Sequence, residues 1–390
     1  MSSQISSDLT YVVKRVPELS DKEIQDWENL RLADPVYSTA LLTFEFAKAI
    51  ASKRDDVRVV LIKSGALPVG FFCGHVRPGG LVRPVGAPFD DYSGPIVAAG
   101  YNLELAKVLE ALGCHSYRAS ASVTPIETVV DTKVSNPGLS YVVQLADQTA
   151  ADYLASRFKE NPKRHKNFRR LSRKMEKDFT QVELRFGAPS KESLKQLFDW
   201  KSAQFQRSGL VDILSTSFSR EALDAFVELP FSEASQFGGY STEIWVDGKF
   251  IAGHFGVRAK CDFHPWISAY DPGFSESAPG IVLLYRAIEK MDEMGLKTYD
   301  LSGGHDHYKK YFAQPKRKIA DFQVSRKTLM GNLQATSFNF WNMFGTTDET
   351  SIALRMKRRF DHIATCEPNS ARRLKEVGIA FRKRGKTHVE

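Results

Sequence analysis

Apolar and polar residues alternate across a glycine turn in two distant stretches of the chain. RVVLIKSGALPVGFFCGHVR (58–77) and STEIWVDGKFIAGHFGVRAK (241–260) each read as strand, turn, strand, with VDGK the clearer turn signal. Within FIAGHFGVR the period of two sets Ile251, Phe255 and Val257 on one face and Ala252, His254 and Arg258 on the other. Helical spacing appears elsewhere. SDKEIQDWENLR carries Ser20 and Glu23 at the spacing of a capping box, and ESLKQLFDWKSAQF is the corresponding stretch of the second half. From about Ile281 to Met294, the positions Ile281, Leu284, Tyr285, Ile288 and Met291 fall on one helical face. In NFRRLSRKMEK, Phe168, Leu171 and Met175 form a narrow apolar stripe.

The two glycine-turn stretches belong to a longer repeat. Gly65, Gly70 and Phe72 match Gly248, Gly253 and Phe255 at an offset of 183, and Gly113, Tyr117 and Ser120 match Gly295, Tyr299 and Ser302 at an offset of 182. In each half, helices precede a hairpin, and a strand, an amphipathic helix and a last strand follow it. That order predicts an α+β fold made of two similar lobes, with mixed sheets and flanking helices. The boundaries expected are 1–145 for the first lobe, 146–328 for the second and 329–390 for a C-terminal extension.

With 390 residues, 42% of them hydrophobic and 26% charged, the chain is long enough for two packed lobes. Its net charge of +8 is concentrated in two places. Residues 157–177 hold ten Lys or Arg against two Glu, and residues 351–390 hold eleven against four acids. The first fits a solvated helix face or a holder of an anionic ligand. The second contains Leu374, Val377 and Phe381 between basic residues, a pattern suited either to an anionic membrane surface or to a disordered end. Between them, Phe338, Phe340, Trp341, Met343 and Phe344 are too apolar for a free linker. No apolar run approaches the roughly 18 residues a membrane span needs, and the polar N-terminus has no secretory pattern. The expectation is a cytoplasmic protein, peripheral at the membrane if the tail binds there. Cys73, Cys114, Cys261 and Cys366 stand apart, without metal-ligand spacing. No metal is expected, since His305 and His307 lack a third and fourth partner.

DLSGGHDHYKKYF (300–312) is the stretch densest in chemistry. It brings His305, Asp306, Tyr308 and Lys309 together just after a short strand, a mixture of groups that can hold charge and move protons. Pro279 and Gly280 open the helix of the second half, where proline suits the first turn and glycine lets a ligand approach free N–H groups.

The run WISAYDPGFSESAPGIVLLYRAIEKMDEMGLKTYDLSGGHDHYKKYF resembles the GNAT-type domain of CelD-type acyltransferases, which are associated with cellulose biosynthesis, and more distantly the Fem-type aminoacyltransferases. A Tyr-Asp ending a strand, a Pro-Gly opening a long helix, an aromatic-Asp strand and a Gly followed by YKxxF carry the resemblance. GAPFDDY (86–92) and KRHKNFRRLSRKMEK are similar to further elements of that family, so that the likeness spans roughly residues 10–325. It implies two tandem GNAT-like lobes, the first without catalysis and the second with a cleft between strands ending near Tyr270 and Ser302. Tyr270, Ser277, Pro279, Gly280, Ile281 and Ser302 would hold an acyl-CoA donor, with acetyl-CoA the expected one. His305 or Asp306 would act as base, Tyr308 would protonate the leaving thiolate, and Lys309 would meet phosphate or developing negative charge. His254, Arg258, Asp91 and Tyr92 would face the acceptor. ESAPGI departs from the Gln/Arg-x-x-Gly-x-Gly/Ala phosphate loop of ordinary GNAT enzymes, which leaves coenzyme A and an acyl carrier protein both open as donor.

Three functions follow. The first is an N-acyltransferase acting on an amino sugar of an envelope or exopolysaccharide precursor. A Fem-type transferase using aminoacyl-tRNA is the second, and tRNA is a partner only there. The third is a non-catalytic binding protein of polysaccharide machinery. DNA is not expected as a partner, because no DNA-reading motif accompanies the charge.

Overall fold

A computed structural model describes residues 9–208, 212–304, 308–343, and residues 363 and 365. Helix and strand starts follow local signals. Helix α1 (Asp21–Ala33) begins at Ser20, whose backbone N–H donates to Glu23 Oε2 at 2.9 Å while its Oγ accepts from Glu23 N at 3.4 Å, the capping box read from the sequence. The first half then runs from β1 (Leu9–Lys14), which precedes α1, through α2 (Phe44–Ala51), β2 (Val57–Ser64), β3 (Leu67–Arg77), β4 (Leu81–Pro84), β5 (Ile96–Val97), α3 (Leu105–Ala111), β6 (Ser116–Ser122) and β7 (Lys133–Gln144). Two helices, α4 (Ala150–Glu160) and α5 (Pro162–Asp178), lead into the second half. There the order is β8 (Val182–Gly187), α6 (Lys191–Arg207), α7 (Ser217–Val227), β9 (Phe237–Val246), β10 (Lys249–Ala259), β11 (Asp262–Tyr270), α8 (Pro279–Glu289), β12 (Thr298–Asp300), the one-turn α9 (Lys309–Phe312), β13 (Gln314–Ser325) and α10 (Leu329–Met343).

Among the described residues thirteen strands form one sheet, in the order β1-β2-β3-β4-β6-β13-β7-β12-β11-β10-β9-β8, with β5 pairing β3. Each half contributes the same arrangement, an antiparallel run closed by a parallel pair: β4 with β6, and β11 with β12. The last strands are exchanged. β13 of the second half lies beside β6 of the first, β7 of the first lies beside β12 of the second, and β7 and β13 pair with each other. The two lobes read from the sequence therefore share a single sheet.

The repeat is visible in local geometry. Gly113 and Gly295 both have φ of 65° in the turn before the strand that completes the parallel pair, a left-handed conformation that glycine adopts without steric cost. Tyr117 and Tyr299, four residues later, are both buried, and each meets a phenylalanine ring edge-on at 5.0 Å, Phe72 in one half and Phe263 in the other. Helix α8 ends at Glu289, before the Met294 expected, and both sides of it are covered. Leu284, Tyr285 and Ile288 pack in one apolar cluster, while Val282 and Leu283 pack with β9, β10 and α5 residues in another.

Candidate active site

Strands β11 and β12 are in register only at Asp262 with Thr298 and Phe263 with Tyr299, after which they part. The sequence of β11 explains the divergence. Ile267 pairs with Phe255 and Pro265 with Gly256, so that Trp266 is an extra residue in the ladder, a bulge that bends the strand. Pro265 has no N–H for a neighbour. A Cβ on Gly256 would stand 1.9 Å from the carbonyl oxygen of His264, so only glycine admits this approach.

The parted strands bound a cleft of about 550 Å³. Trp266, Ser268 and Tyr270 form its β11 side, Ala278, Gly280, Ile281 and Leu284 the start of α8, and Leu301 and Ser302 the end of β12. Tyr308 and Lys309 close it from the far side, His254 reaches it from β10, Lys201 and Gln204 from α6, and Asp91 from the first half. Of the residues expected from the sequence, Tyr270, Gly280, Ile281, Ser302, Tyr308, Lys309, His254 and Asp91 thus come together. His305 and Asp306 lie outside the described residues.

Four expected residues stand elsewhere. Arg258 turns away from the cleft: its Nε donates to the Lys260 carbonyl at 2.8 Å, and its guanidinium covers the rings of Phe231 and Tyr240. Alternation does keep it on the face of His254, but it is paired with Phe263, where β11 is still joined to β12, whereas His254 is paired with Ser268, where the two strands have parted. Pro279 is buried and fixes the first turn of α8, while Ser277 ends the preceding 3₁₀ turn; the cleft is lined there by Ser275 and Ala278 instead. Tyr92 is buried, and its hydroxyl donates to Asp300 Oδ1 at 2.6 Å.

The opening turn of α8 is unusual. Ala278 is left-handed at φ 48°, ψ 51°, and its carbonyl accepts from Ile281 N and Val282 N. Pro279 has no N–H, and among the described residues that of Gly280 makes no hydrogen bond. The ring of Tyr270 would lie 3.7 Å from a Cβ on Gly280, so the aromatic side chain and the helix start share one edge of the cleft. Opposite them Ser302, also left-handed at φ 65°, ends β12, with its N–H held by Asp300 Oδ1 at 2.8 Å. Non-glycine residues in this conformation cost energy and persist where their surroundings fix them, which is common at functional sites. Lys309 is buried, with its Nζ donating to the Gly303 carbonyl at 2.5 Å.

A charge network supports this wall from behind. Buried His264 on β11 bonds Asp91 Oδ2 through Nε2 at 3.0 Å, and its Nδ1 stands 3.8 Å from Asp300 Oδ1, an ion-pair contact longer than a hydrogen bond. Arg317 Nη1 of β13 donates to Asp300 Oδ2 at 2.8 Å, and its Nη2 donates to the Ser38 carbonyl. Burial works against a charge on His264, but Asp300 and Asp91 outweigh it and raise its pKa to about 9. Asp300 is held well below the usual carboxylate range, since His264, Arg317 and the Tyr92 hydroxyl outweigh its burial. His254 goes the other way: burial, with the nearby Lys201 charge, lowers its pKa to about 3.

The basic segment also has a structural role. Arg157 donates to the carbonyls of Lys310 and Tyr311, His165 Nε2 contacts the Tyr311 carbonyl at 3.0 Å, and Phe168 stacks on Phe312 at 4.5 Å. Helices α4 and α5 thereby fix α9, which carries Lys309.

Sequence reasoning missed His264, Arg317, Lys201, Gln204 and Trp266. The first had a signal: a histidine beside a proline inside the apolar strand DFHPWISAY. Lys201 and Gln204, on an amphipathic helix, look like any polar face.

Residues 162–310 match the family model described as an acetyltransferase (GNAT) domain. The matched stretch lies in the second half, which is thus similar to a GNAT-type acetyltransferase domain. FemX is similar in structure with a TM-score of 0.54 and 11% identity, across 80% of this chain and 98% of that one, which establishes the shared fold. Similar structures also include a tandem GNAT protein from the clavulanic acid biosynthesis pathway (TM-score 0.49, 10% identity, 82% and 98% covered). Another is the C-terminal domain of a putative lysylphosphatidylglycerol synthetase from Agrobacterium fabrum (TM-score 0.48, 10% identity, 81% and 95% covered). No curated protein sequence matches the chain. In the GNAT domain, the cleft is the gap between the parted parallel strands. No helix among the described residues is long and apolar enough to cross a membrane.

Proposed function

We propose that the chain is an N-acyltransferase that moves an acyl group, acetyl in the simplest case, from a thioester donor to an amine in the cleft between β11 and β12. One observation carries the reading: the parted parallel pair opens onto the uncapped start of α8, with Tyr308 and Lys309 facing it. The amine nitrogen would attack the thioester carbonyl carbon, forming the C–N bond. The C–S bond then breaks, a base takes the proton from nitrogen, and the thiolate receives one. Tyr308 is the proposed acid for the thiolate, Lys309 balances negative charge on the donor, and His305 or Asp306 takes the amine proton. Tyr270, Gly280, Ile281 and Ser302 form the donor side of the cleft, where the N–H of Gly280 suits an anionic group.

Asp91 is proposed to receive the acceptor's ammonium before it is deprotonated. This carboxylate comes from the first lobe, so the division into residues 1–145 and 146–328 is proposed as structural, with the chemistry shared. An amino sugar of an envelope or exopolysaccharide precursor fits a wall of one carboxylate and several hydrogen-bond donors, and the CelD-type motifs support that acceptor. Attachment to the inner face of the membrane through the basic tail completes the proposal, for residues that lie outside those described.

The test is thiol release from acetyl-CoA in the presence of amino sugars. Lys309→Met is expected to lower kcat by about 10²-fold or more, the scale for losing one group that stabilises transition-state charge, with its melting temperature close to that of the parent. Full activity in Lys309→Met and in Tyr308→Phe would remove this site from the chemistry.

A further inference from the structure

We infer that His254 is a fixed hydrogen-bond donor in the cleft: its Nε2 carries the proton and binds an oxygen of the substrate, and it does not act as a base. The substrate contact rests on the acyl-transfer reading above; the state of the imidazole does not.

The argument is one of proton accounting. Tyr299 Oη lies 2.5 Å from His254 Nδ1 and 3.0 Å from Thr242 Oγ1, and all three residues are buried. Among the described residues Thr242 Oγ1 has no other hydrogen-bond partner. If His254 Nδ1 bore the proton, it would donate to Tyr299, Tyr299 would donate to Thr242, and the Thr242 hydroxyl proton would be left without an acceptor. Such an unmet donor in a buried site costs about 1–3 kcal/mol. The opposite order satisfies every proton: Thr242 donates to Tyr299, Tyr299 donates to Nδ1, and the remaining imidazole proton sits on Nε2. His254 lines the cleft, and its Nδ1 is turned to the sheet interior. Nε2–H is then the ring's polar contact with bound molecules.

Charge supports the same state. Lys201 of α6 is a nearby cation, with its Nζ anchored on the Ser268 carbonyl at 3.2 Å, and among the described residues no carboxylate bonds the ring. Burial and this neighbour keep the imidazole neutral over the physiological range, which makes it a poor base and a steady donor. Two other groups on the same wall, Lys201 and the Gln204 amide, also donate. Together with Asp91 they suit an acceptor with one amine and several oxygens.

The experiment is nitrogen-15 NMR of the intact, histidine-labelled protein, with the His254 signals assigned by their loss in His254→Gln. The expected result is an Nε2–H tautomer that does not titrate between about pH 5 and 8. A shift toward mixed tautomers is expected in Tyr299→Phe, which removes the donor to Nδ1. An Nδ1–H tautomer, or titration inside that range, would overturn the inference. In turnover, His254→Ala should lower kcat/KM about tenfold, the worth of one neutral hydrogen bond. His254→Gln, which keeps an N–H, should recover most of that and leave the acidic limb of the pH profile in place; loss of that limb would mark a base and refute the proposal. Absence of acetyl-CoA binding in a thermal-shift titration would defeat the thioester reading alone, because the tautomer is measured without a donor.

Discussion

The pair β4 and β6 and the pair β11 and β12 begin alike and end differently. Both are parallel for two residues and then diverge, and both diverge beside a glycine that a side chain could not replace. A Cβ on Gly74 would stand 2.8 Å from the Arg83 carbonyl, and one on Gly256 would stand 1.9 Å from that of His264, with Pro84 and Pro265 next in line. In the second half, residues 271–278 connect directly to α8 and leave about 550 Å³ between the strands. In the first, the much longer segment 85–104 folds back into the gap. Ser93 bridges to Ser122 where β4 has left β6, and beside that bridge only a pocket of about 20 Å³ remains, lined among others by Trp27, Phe71 and Tyr92. The same segment delivers Asp91 to the other cleft and Tyr92 to Asp300. A long connector turned one of two equivalent gaps into a support for its twin.

The largest expected effect comes from emptying the filled gap. Trp27→Ala should cost about 3–5 kcal/mol in denaturant unfolding, without creating a second thioester site; saturable acetyl-CoA binding at two sites in this variant would break the comparison. Next is the tie between the lobes. His264→Asn leaves Asp91 without the imidazolium and Asp300 with Arg317 as its remaining cation, and about 3 kcal/mol should be lost. Its pH dependence is distinctive. Because the folded pKa of His264, about 9, lies above its unfolded value of roughly 6.5, its contribution is complete below pH 6.5 and disappears as pH rises through 9. His254 acts in the opposite direction: its contribution is complete above roughly pH 6.5 and is lost as pH falls toward 3. Melting temperatures from pH 6 to 10 should therefore fall more steeply in the parent than in His264→Asn; parallel curves would show that the ion pair is not what joins the lobes. The smallest effect should be the most symmetrical. Gly113→Ala and Gly295→Ala, both at φ 65°, should each cost about 1 kcal/mol, and unequal costs would show that the shared turn no longer does the same work in both halves.

Much of this was legible in the chain. The glycine offsets marked the repeat because a left-handed turn restricts residue choice, and the Ser20 and Glu23 spacing marked a helix start because both partners are local. Residues contributed by strand ends and turns, Tyr270, Gly280, Ser302 and Asp91, could be placed near one another through the fold the motifs resemble. The strand exchange could not be read, since β7 and β13 carry patterns compatible with either neighbour. Nor could the roles of Arg157 and His165, which appear as two more charges in a basic segment and in fact fasten α9. Arg258 shows the limit of alternation: the period of two assigns a face, but not the point along the strand at which β11 and β12 part.

The order of strands reads the same from either end once corresponding elements are equated, with β7 and β13 at its centre. Two identical chains trading their terminal strands across a twofold axis would produce this arrangement, and joining them head to tail would preserve it. On that history the shared sheet is a dimer interface made covalent. Fusion released one copy from the need to match the other, so that one ancestral active site could become scaffolding while its counterpart kept the chemistry.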